Sequence, residues 1–193
     1  MRIITGSAKG ARLKTPKGQD TRPTADRIKE SLFNILGQMV QARTVLDIFA
    51  GTGNLGLEAL SRGAARAVLV DKATASLMRE NAAHTRLADR TEIMAGDACS
   101  VLTRLEAQGQ RFSLIFCDPP YHRGLWEKVL KYLDESQVLS PEGILVVEHG
   151  ADENDLPELQ RLRRVLNKVY GHTTQLSFFQ WGEYLDACEE AEK

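Results

Sequence analysis

Asp47-Ile-Phe-Ala-Gly51-Thr-Gly53-Asn-Leu-Gly56 carries the strongest architectural signal in this chain. Its three glycines follow a G-x-G-x-x-G spacing. Residues 44–49 form a short apolar run that reads as a strand, and residues 55–62 read as a helix stopped by Gly63. Glycine allows the tight turn between the two and lets backbone approach a ligand closely. The spacing therefore predicts a strand–turn–helix unit with a ligand at its turn. The structural alternative is a glycine loop that only packs a helix onto a sheet.

On either side of this stretch, strand and helix patterns alternate. Strands are expected at 67–70, 92–95, 112–117 and 143–148, with helices at 73–87, 98–107 and 125–133. The strands are short and nearly free of polar residues, as strands buried on both faces should be. Repeated βα units imply an α/β fold with a mostly parallel sheet. Residues 164–169 and 173–181 are extended runs with no helix between them, so they should pair as an antiparallel hairpin and bring the sheet to seven strands. Upstream, Thr24 can cap a helix whose apolar residues Ile28, Leu32, Ile35, Leu36 and Met39 recur at helical spacing. Residues 2–5 and 11–15 suggest a small hairpin turning at 6–10. The expected organisation is a basic hairpin extension at 1–20, a main domain at 21–185 and an acidic flexible tail at 186–193.

The chain has 193 residues, 42% hydrophobic and 26% charged, an ordinary globular composition for one domain. Three widely spaced cysteines, Cys99, Cys117 and Cys188, match no zinc or disulfide pattern, so a reducing compartment and no metal are expected. The first residues lack the apolar core of a secretory signal, and no apolar run approaches the roughly 20 residues that span a bilayer. A cytoplasmic protein without a membrane partner follows. Net charge is −1, but residues 1–29 hold eight basic residues against two acids, a balance of +6. Arg2, Lys9, Arg12, Lys14, Arg22 and Arg27 are the candidate contacts to a polyanion; a solvated basic face is the bland alternative.

Four acids, Asp47, Asp71, Asp97 and Asp118, end or follow strands on the edge where open α/β sheets bind ligands. A dinucleotide would bring a pyrophosphate, which so many carboxylates oppose. A cationic ligand suits them better, and S-adenosylmethionine offers a sulfonium, an ammonium, a ribose diol and an adenine amine. Any one acid could instead cap a helix. Asp118-Pro119-Pro120-Tyr121 follows the fourth strand. Two prolines stiffen the turn and remove two backbone donors, so carbonyls beside the Asp118 carboxylate become acceptors, with a flat ring alongside. A stacked base with an exocyclic amine would fit there. His122 reads as a surface or supporting residue, as do His84, His149 and His172, and Glu148 as a pocket residue or a structural cap.

The glycine loop and the Asp-Pro-Pro-Tyr corner together resemble the class I S-adenosylmethionine-dependent methyltransferases, whose sheet is Rossmann-like with an antiparallel C-terminal hairpin. Three further stretches narrow the resemblance: Arg2-Ile-Ile-Thr-Gly-Ser-Ala-Lys-Gly10, Arg22-Pro-Thr-Ala-Asp-Arg-Ile-Lys-Glu-Ser-Leu-Phe33, and residues 47–64. From residue 1 to about 150 the chain is similar to the bacterial family that methylates N2 of a guanine in small-subunit (16S) ribosomal RNA. The Arg-Pro-Thr stretch is the most distinctive; Thr52-Gly53-Asn54 departs from that family's frequent Ser-Gly-Ala. The resemblance implies that Asp47 with Gly51 and Gly53 holds the methionine end of S-adenosylmethionine, Asp71 the ribose, and Asp97 with the Ala98 backbone the adenine. It implies that Asp118 and the Pro119 carbonyl accept from the target amine while Tyr121 stacks on the base, with Pro120 completing the corner. The expected partner is ribosomal RNA, free or in a partly or fully assembled small subunit. A DNA adenine-N6 methyltransferase, a nicotinamide-dependent oxidoreductase and a catalytically silent RNA-binding module are the rival readings.

Overall fold

The computed structural model describes residues 1–16 and 23–191. The chain divides into two compact units, Met1–Ala98 and Cys99–Lys193. Its seven strands form one mixed sheet in the order β3-β2-β1-β4-β5-β7-β6.

In the first unit the elements are α1 (Pro23–Leu36), β1 (Thr44–Ile48), α2 (Asn54–Ser61), β2 (Arg66–Asp71), α3 (Ala75–His84) and β3 (Thr91–Ala95). β1 and β2 are aliphatic and buried, and they pair in parallel with Asp47 opposite Leu69. β2 and β3 pair in parallel as well. The helix from the Arg-Pro-Thr stretch begins at Pro23, so Thr24 falls within its first turn. It also ends sooner than expected. Gly37 takes φ +52, residues Gly37–Val40 tighten into a 3₁₀ turn, and Met39 is left exposed. The expected N-terminal hairpin reduces to a single antiparallel bridge between Arg2 and Arg12. Ile3 and Leu13 bury their side chains on either side of it.

In the second unit, α4 (Ala98–Ala107, its first residue closing the first unit) leads to β4 (Phe112–Cys117), α5 (Leu125–Glu135), β5 (Leu139–Gly150), β6 (Leu162–Tyr170), β7 (Thr174–Trp181) and α6 (Gly182–Ala191). β4 and β5 are parallel, whereas β7 is antiparallel to both β5 and β6, as the helix-free connection predicts. Asp134, near the end of α5, accepts from the N–H groups of Gln160, Arg161 and Leu162 and so fixes where β6 starts. α6 is an addition to the sequence reading: Leu185, Ala187 and the flanking glutamates favour helix although they carry the acidic tail's charge.

The expectation of strands covered on both faces holds for β1, β2 and β4 and fails at β3; the hairpin strand β6, to which it did not extend, is largely exposed as well. These are the two outer strands of the sheet order, and an edge strand has a neighbour on one side only. Among the described residues no helix is long and apolar enough to cross a membrane.

Candidate functional site

In the first unit the glycine loop joins β1 to α2. Gly51 and Gly53 both adopt positive φ, +56 and +80, as the tight turn requires. Gly56 serves a different need. It lies in α2, where a Cβ would sit 2.2 Å from Leu69 Cδ2 and 3.3 Å from Asp47 Oδ2. The missing side chain lets α2 lie directly on β2. It also brings the Gly56 N–H within 2.8 Å of Asp47 Oδ2, to which it donates. Asp47 is buried, and loss of solvation pushes its pKa up to about 7; the Gly56 bond opposes this, and the nearby Asp71 charge adds to it.

Asp71 ends β2 and is tied to backbone on both sides. Its Oδ2 accepts from Gly51 N–H at 3.1 Å, and its Oδ1 from Ala73 and Thr74 N–H at 2.8 and 3.0 Å. Asp71 therefore braces the glycine loop and caps the approach to α3. A carboxylate has about four acceptor sites, so these three bonds leave room for one more donor. Asp97 is exposed two residues beyond β3, and Ala98 is buried at the start of α4.

In the second unit Asp118 directly follows β4 and is partly buried, Pro119 is buried and Pro120 exposed. Tyr121 is partly buried and its hydroxyl turns inward. It donates to Glu148 Oε1 on β5 at 2.7 Å and lies 3.1 Å from Thr174 Oγ1 on β7. Burial pushes the Tyr121 phenol up, well above its ordinary range, with the Glu148 charge in the same direction. Burial also raises Glu148, and the bond from Tyr121 opposes that rise.

A second carboxylate holds the far side of this elbow. Glu153 Oε1 accepts from His122 N–H at 3.1 Å and from the Trp126 indole at 3.3 Å, while Oε2 accepts from Gly150 N–H at 2.9 Å. These bonds hold His122 at φ +58 with its ring exposed, 3.9 Å from Asp152. His149 is fully buried, stacked on Trp126 at 4.5 Å and 3.0 Å from Ser177 Oγ, and burial lowers its pKa. Glu153 lacked any sequence signal, because it lies 31 residues from its His122 partner. A separate cavity lined by Arg111, Gln137, Leu139, Arg161 and Trp181 opens at the start of β4 and β5, the opposite end from the elbow.

Of the basic candidates, Arg2, Lys9, Arg12, Lys14 and Arg27 are exposed; Arg22 lies outside the described residues. Lys14 pairs with Glu80 at 2.8 Å. Lys29, counted in the basic surplus, is not on the surface. Its ammonium is buried and donates to Arg2 O at 2.5 Å and Asn54 Oδ1 at 2.7 Å, with Glu58 Oε2 at 3.2 Å. Glu58, fully buried on α2, also accepts from the N–H groups of Ile4 and Thr5 and from Arg62. Asn81 grips the other strand of the bridge through Lys14 N–H and C=O, and reaches Thr52 O in the glycine loop. The N-terminal segment is thus bolted to α1, α2 and α3. A signal existed for Lys29, since 29, 32, 33 and 36 share one helical face.

Residues 1–180 match a family model described as "Conserved hypothetical protein 95". The chain is 39% identical over 160 residues to the Bacillus subtilis (strain 168) protein YlbH, covering 82% of this chain and 86% of that protein. It is 39% identical over 159 residues to "Ribosomal RNA small subunit methyltransferase D" of Escherichia coli (strain K12), covering 81% and 78%. The solved structure of the Escherichia coli protein yhhF superposes with a TM-score of 0.81 at 36% identity, covering 94% of this chain and 97% of that one.

Proposed function

As a member of the family that includes ribosomal RNA small subunit methyltransferase D, this chain is a ribosomal RNA methyltransferase, and we propose that it methylates the exocyclic N2 amine of a guanine in small-subunit ribosomal RNA. The observation that carries the reading is the Asp118–Tyr121 elbow directly after β4, stiffened by two prolines and held through the Tyr121 hydroxyl. The methyl donor is S-adenosylmethionine. The donor set of the first unit fits it: Asp47, Asp71 and Asp97 end or follow three successive parallel strands, and carboxylates match a ligand with a sulfonium, an ammonium and a ribose diol. That ligand supplies an electrophilic methyl group.

Everything else is done by the chain. Asp47 and the Gly51–Gly53 backbone hold the methionine end, Asp71 the ribose through a hydroxyl, and Asp97 with the Ala98 backbone the adenine. Asp118 and the Pro119 carbonyl accept from the two amine protons. A guanine N2 lone pair is delocalised into the ring and is a weak nucleophile. Two acceptors at the amine favour a pyramidal nitrogen whose lone pair is free to attack. Alignment of this kind is worth up to about 7–11 kcal/mol. Tyr121 stacks on the base, which must be unpaired or flipped to reach the site. The methylated amine loses its proton readily, so no histidine base is required. Exposed Arg2, Lys9, Arg12, Lys14 and Arg27, with Arg22, grip phosphates in the cytoplasm, on free RNA or on an assembling subunit.

The test is transfer of labelled methyl from S-adenosylmethionine to small-subunit RNA, to the subunit and to DNA, followed by mass analysis of the nucleosides. N2-methylguanosine from RNA is the expected product. N6-methyladenine from DNA, or tight NAD binding in calorimetry with none of S-adenosylmethionine, would replace the reading.

A further inference from the structure

We propose that Glu148 is a positioning residue for this reaction, holding the Tyr121 ring in the orientation that receives the target base. The inference rests on the reading of Tyr121 as the stacking platform. Prolines 119 and 120 fix their own backbone torsions but leave the two side-chain torsions of Tyr121 free. A ring free to turn about those bonds presents no fixed face to a base. Here the hydroxyl is held at its far end by two groups from different strands. Glu148 Oε1 lies at 2.7 Å on β5 and Thr174 Oγ1 at 3.1 Å on β7. The two strands are locked in antiparallel register there, with Glu148 opposite Leu176 and Gly150 opposite Thr174. The backbone at the base and the two partners at the tip fix the axis of the ring, and because a phenol O–H lies close to the plane of its ring, the direction of the bond to Glu148 also biases that plane.

Packing alone does not account for this arrangement. Tyr121 is only partly buried, so its ring is not a core filler. Withdrawing a carboxylate from water carries a free-energy cost, and a phenylalanine against an aliphatic residue would fill the same volume without it. What the hydrogen bond adds is direction. Glu153 does the same for the next residue through the backbone of His122. The elbow is therefore clamped on both sides of the Tyr121–His122 peptide.

The test uses the full chain with an RNA substrate and four variants: Glu148→Gln, Glu148→Ala, Tyr121→Phe and the Glu148→Ala/Tyr121→Phe double. Each single loss of the bond should lower kcat/KM for RNA about tenfold, the scale of a hydrogen bond to a charged group. Donor affinity by calorimetry should stay within about twofold, the scatter of independent sites. The double variant should be no worse than the worse single, because one bond is removed in all three. Glu148→Gln, which still offers an acceptor, should recover most of the activity. Unchanged kcat/KM in Glu148→Ala, multiplicative losses in the double variant, or a parallel loss of donor affinity would overturn the inference. Should Glu148→Ala fail to fold, Glu148→Leu, alone and combined with Tyr121→Phe, carries the same cycle. A wild-type protein that methylates no RNA defeats the functional reading itself, a result distinct from any of these.

Discussion

Asp47 offers the sharpest quantitative test. Its pKa is pushed from 3.8 to about 7 by burial, which makes the folded chain hold this proton far more tightly than the unfolded chain does. At 1.36 kcal/mol per pH unit, a three-unit shift corresponds to on the order of 4 kcal/mol. The sign follows from proton counts. Below about pH 4 both states are protonated and nothing is lost. As pH rises, the unfolded chain ionises first and binds fewer protons, so stability falls until the folded group ionises near pH 7, and is flat beyond. Asp47→Asn is neutral throughout, and its side-chain oxygen can still accept from Gly56 N–H. Urea denaturation of both proteins between pH 5 and 7.5 should therefore show the variant gaining on the wild type by about 2–3 kcal/mol. Donor binding extends the test. A ligand ammonium beside Asp47 favours its ionised form, so binding at pH 6.5 should release protons, seen as a dependence of calorimetric heat on buffer ionisation that Asp47→Asn removes. Stability curves that run parallel to within about 0.5 kcal/mol would refute the assigned burial effect.

Four further outcomes are expected. Gly56→Ala should destabilise by about 1–3 kcal/mol in urea titrations despite its better helix propensity, because the new methyl meets Leu69 at 2.2 Å. Glu58→Ala should cost about 3–5 kcal/mol and more than Lys29→Ala, since it leaves a buried ammonium beside Arg62 and two unmet backbone donors, while Lys29→Met should cost least. Asp118→Ala should abolish methyl transfer to RNA while leaving calorimetric donor affinity nearly intact; near-normal turnover would contradict its role. Arg2→Glu with Arg12→Glu should weaken RNA binding and shrink the slope of log affinity against log salt by about 0.7–0.9 per lost phosphate contact, without changing donor affinity.

The parallel part of the fold was legible because its signals are local. Short aliphatic strands, a glycine loop and helix-stopping glycines each occupy a few adjacent residues, and β4 and α4 begin and end where the pattern puts them. Misreadings arose where a neighbour in space decides the outcome. Met39 continues an apolar rhythm, but Gly37 at φ +52 has already broken the helix. β3 looks like its neighbours in sequence, yet as an outer strand it is covered on one side only. β5 runs to twelve residues because partners on both sides extend it, beyond its apolar core at 144–147.

The site divides along the same line. Asp47, Asp71 and Asp118 could be proposed as site residues because each stands at or next to the end of a strand, a position that the pattern fixes. What each one touches could not, and contacts change the reading of Asp71 and, outside that set, of Lys29. Asp71 meets its own loop and the approach to α3 with three backbone bonds, so its carboxylate is oriented before any ligand arrives. Lys29 sits in the most distinctive motif of the chain, inside a cluster of cations that suggests a phosphate grip. Its ammonium instead meets Glu58, and that pair carries the backbone of Ile4 and Thr5. The motif therefore holds one buried and one exposed cation, which charge counting cannot separate. Lys29 anchors the N-terminal segment, and Arg27, two residues earlier, is left exposed to solvent. On the proposed function, a basic segment that grips RNA gains from being held rigid as well as charged. The buried ion pair supplies the rigidity, and it does so at the expense of one of the charges.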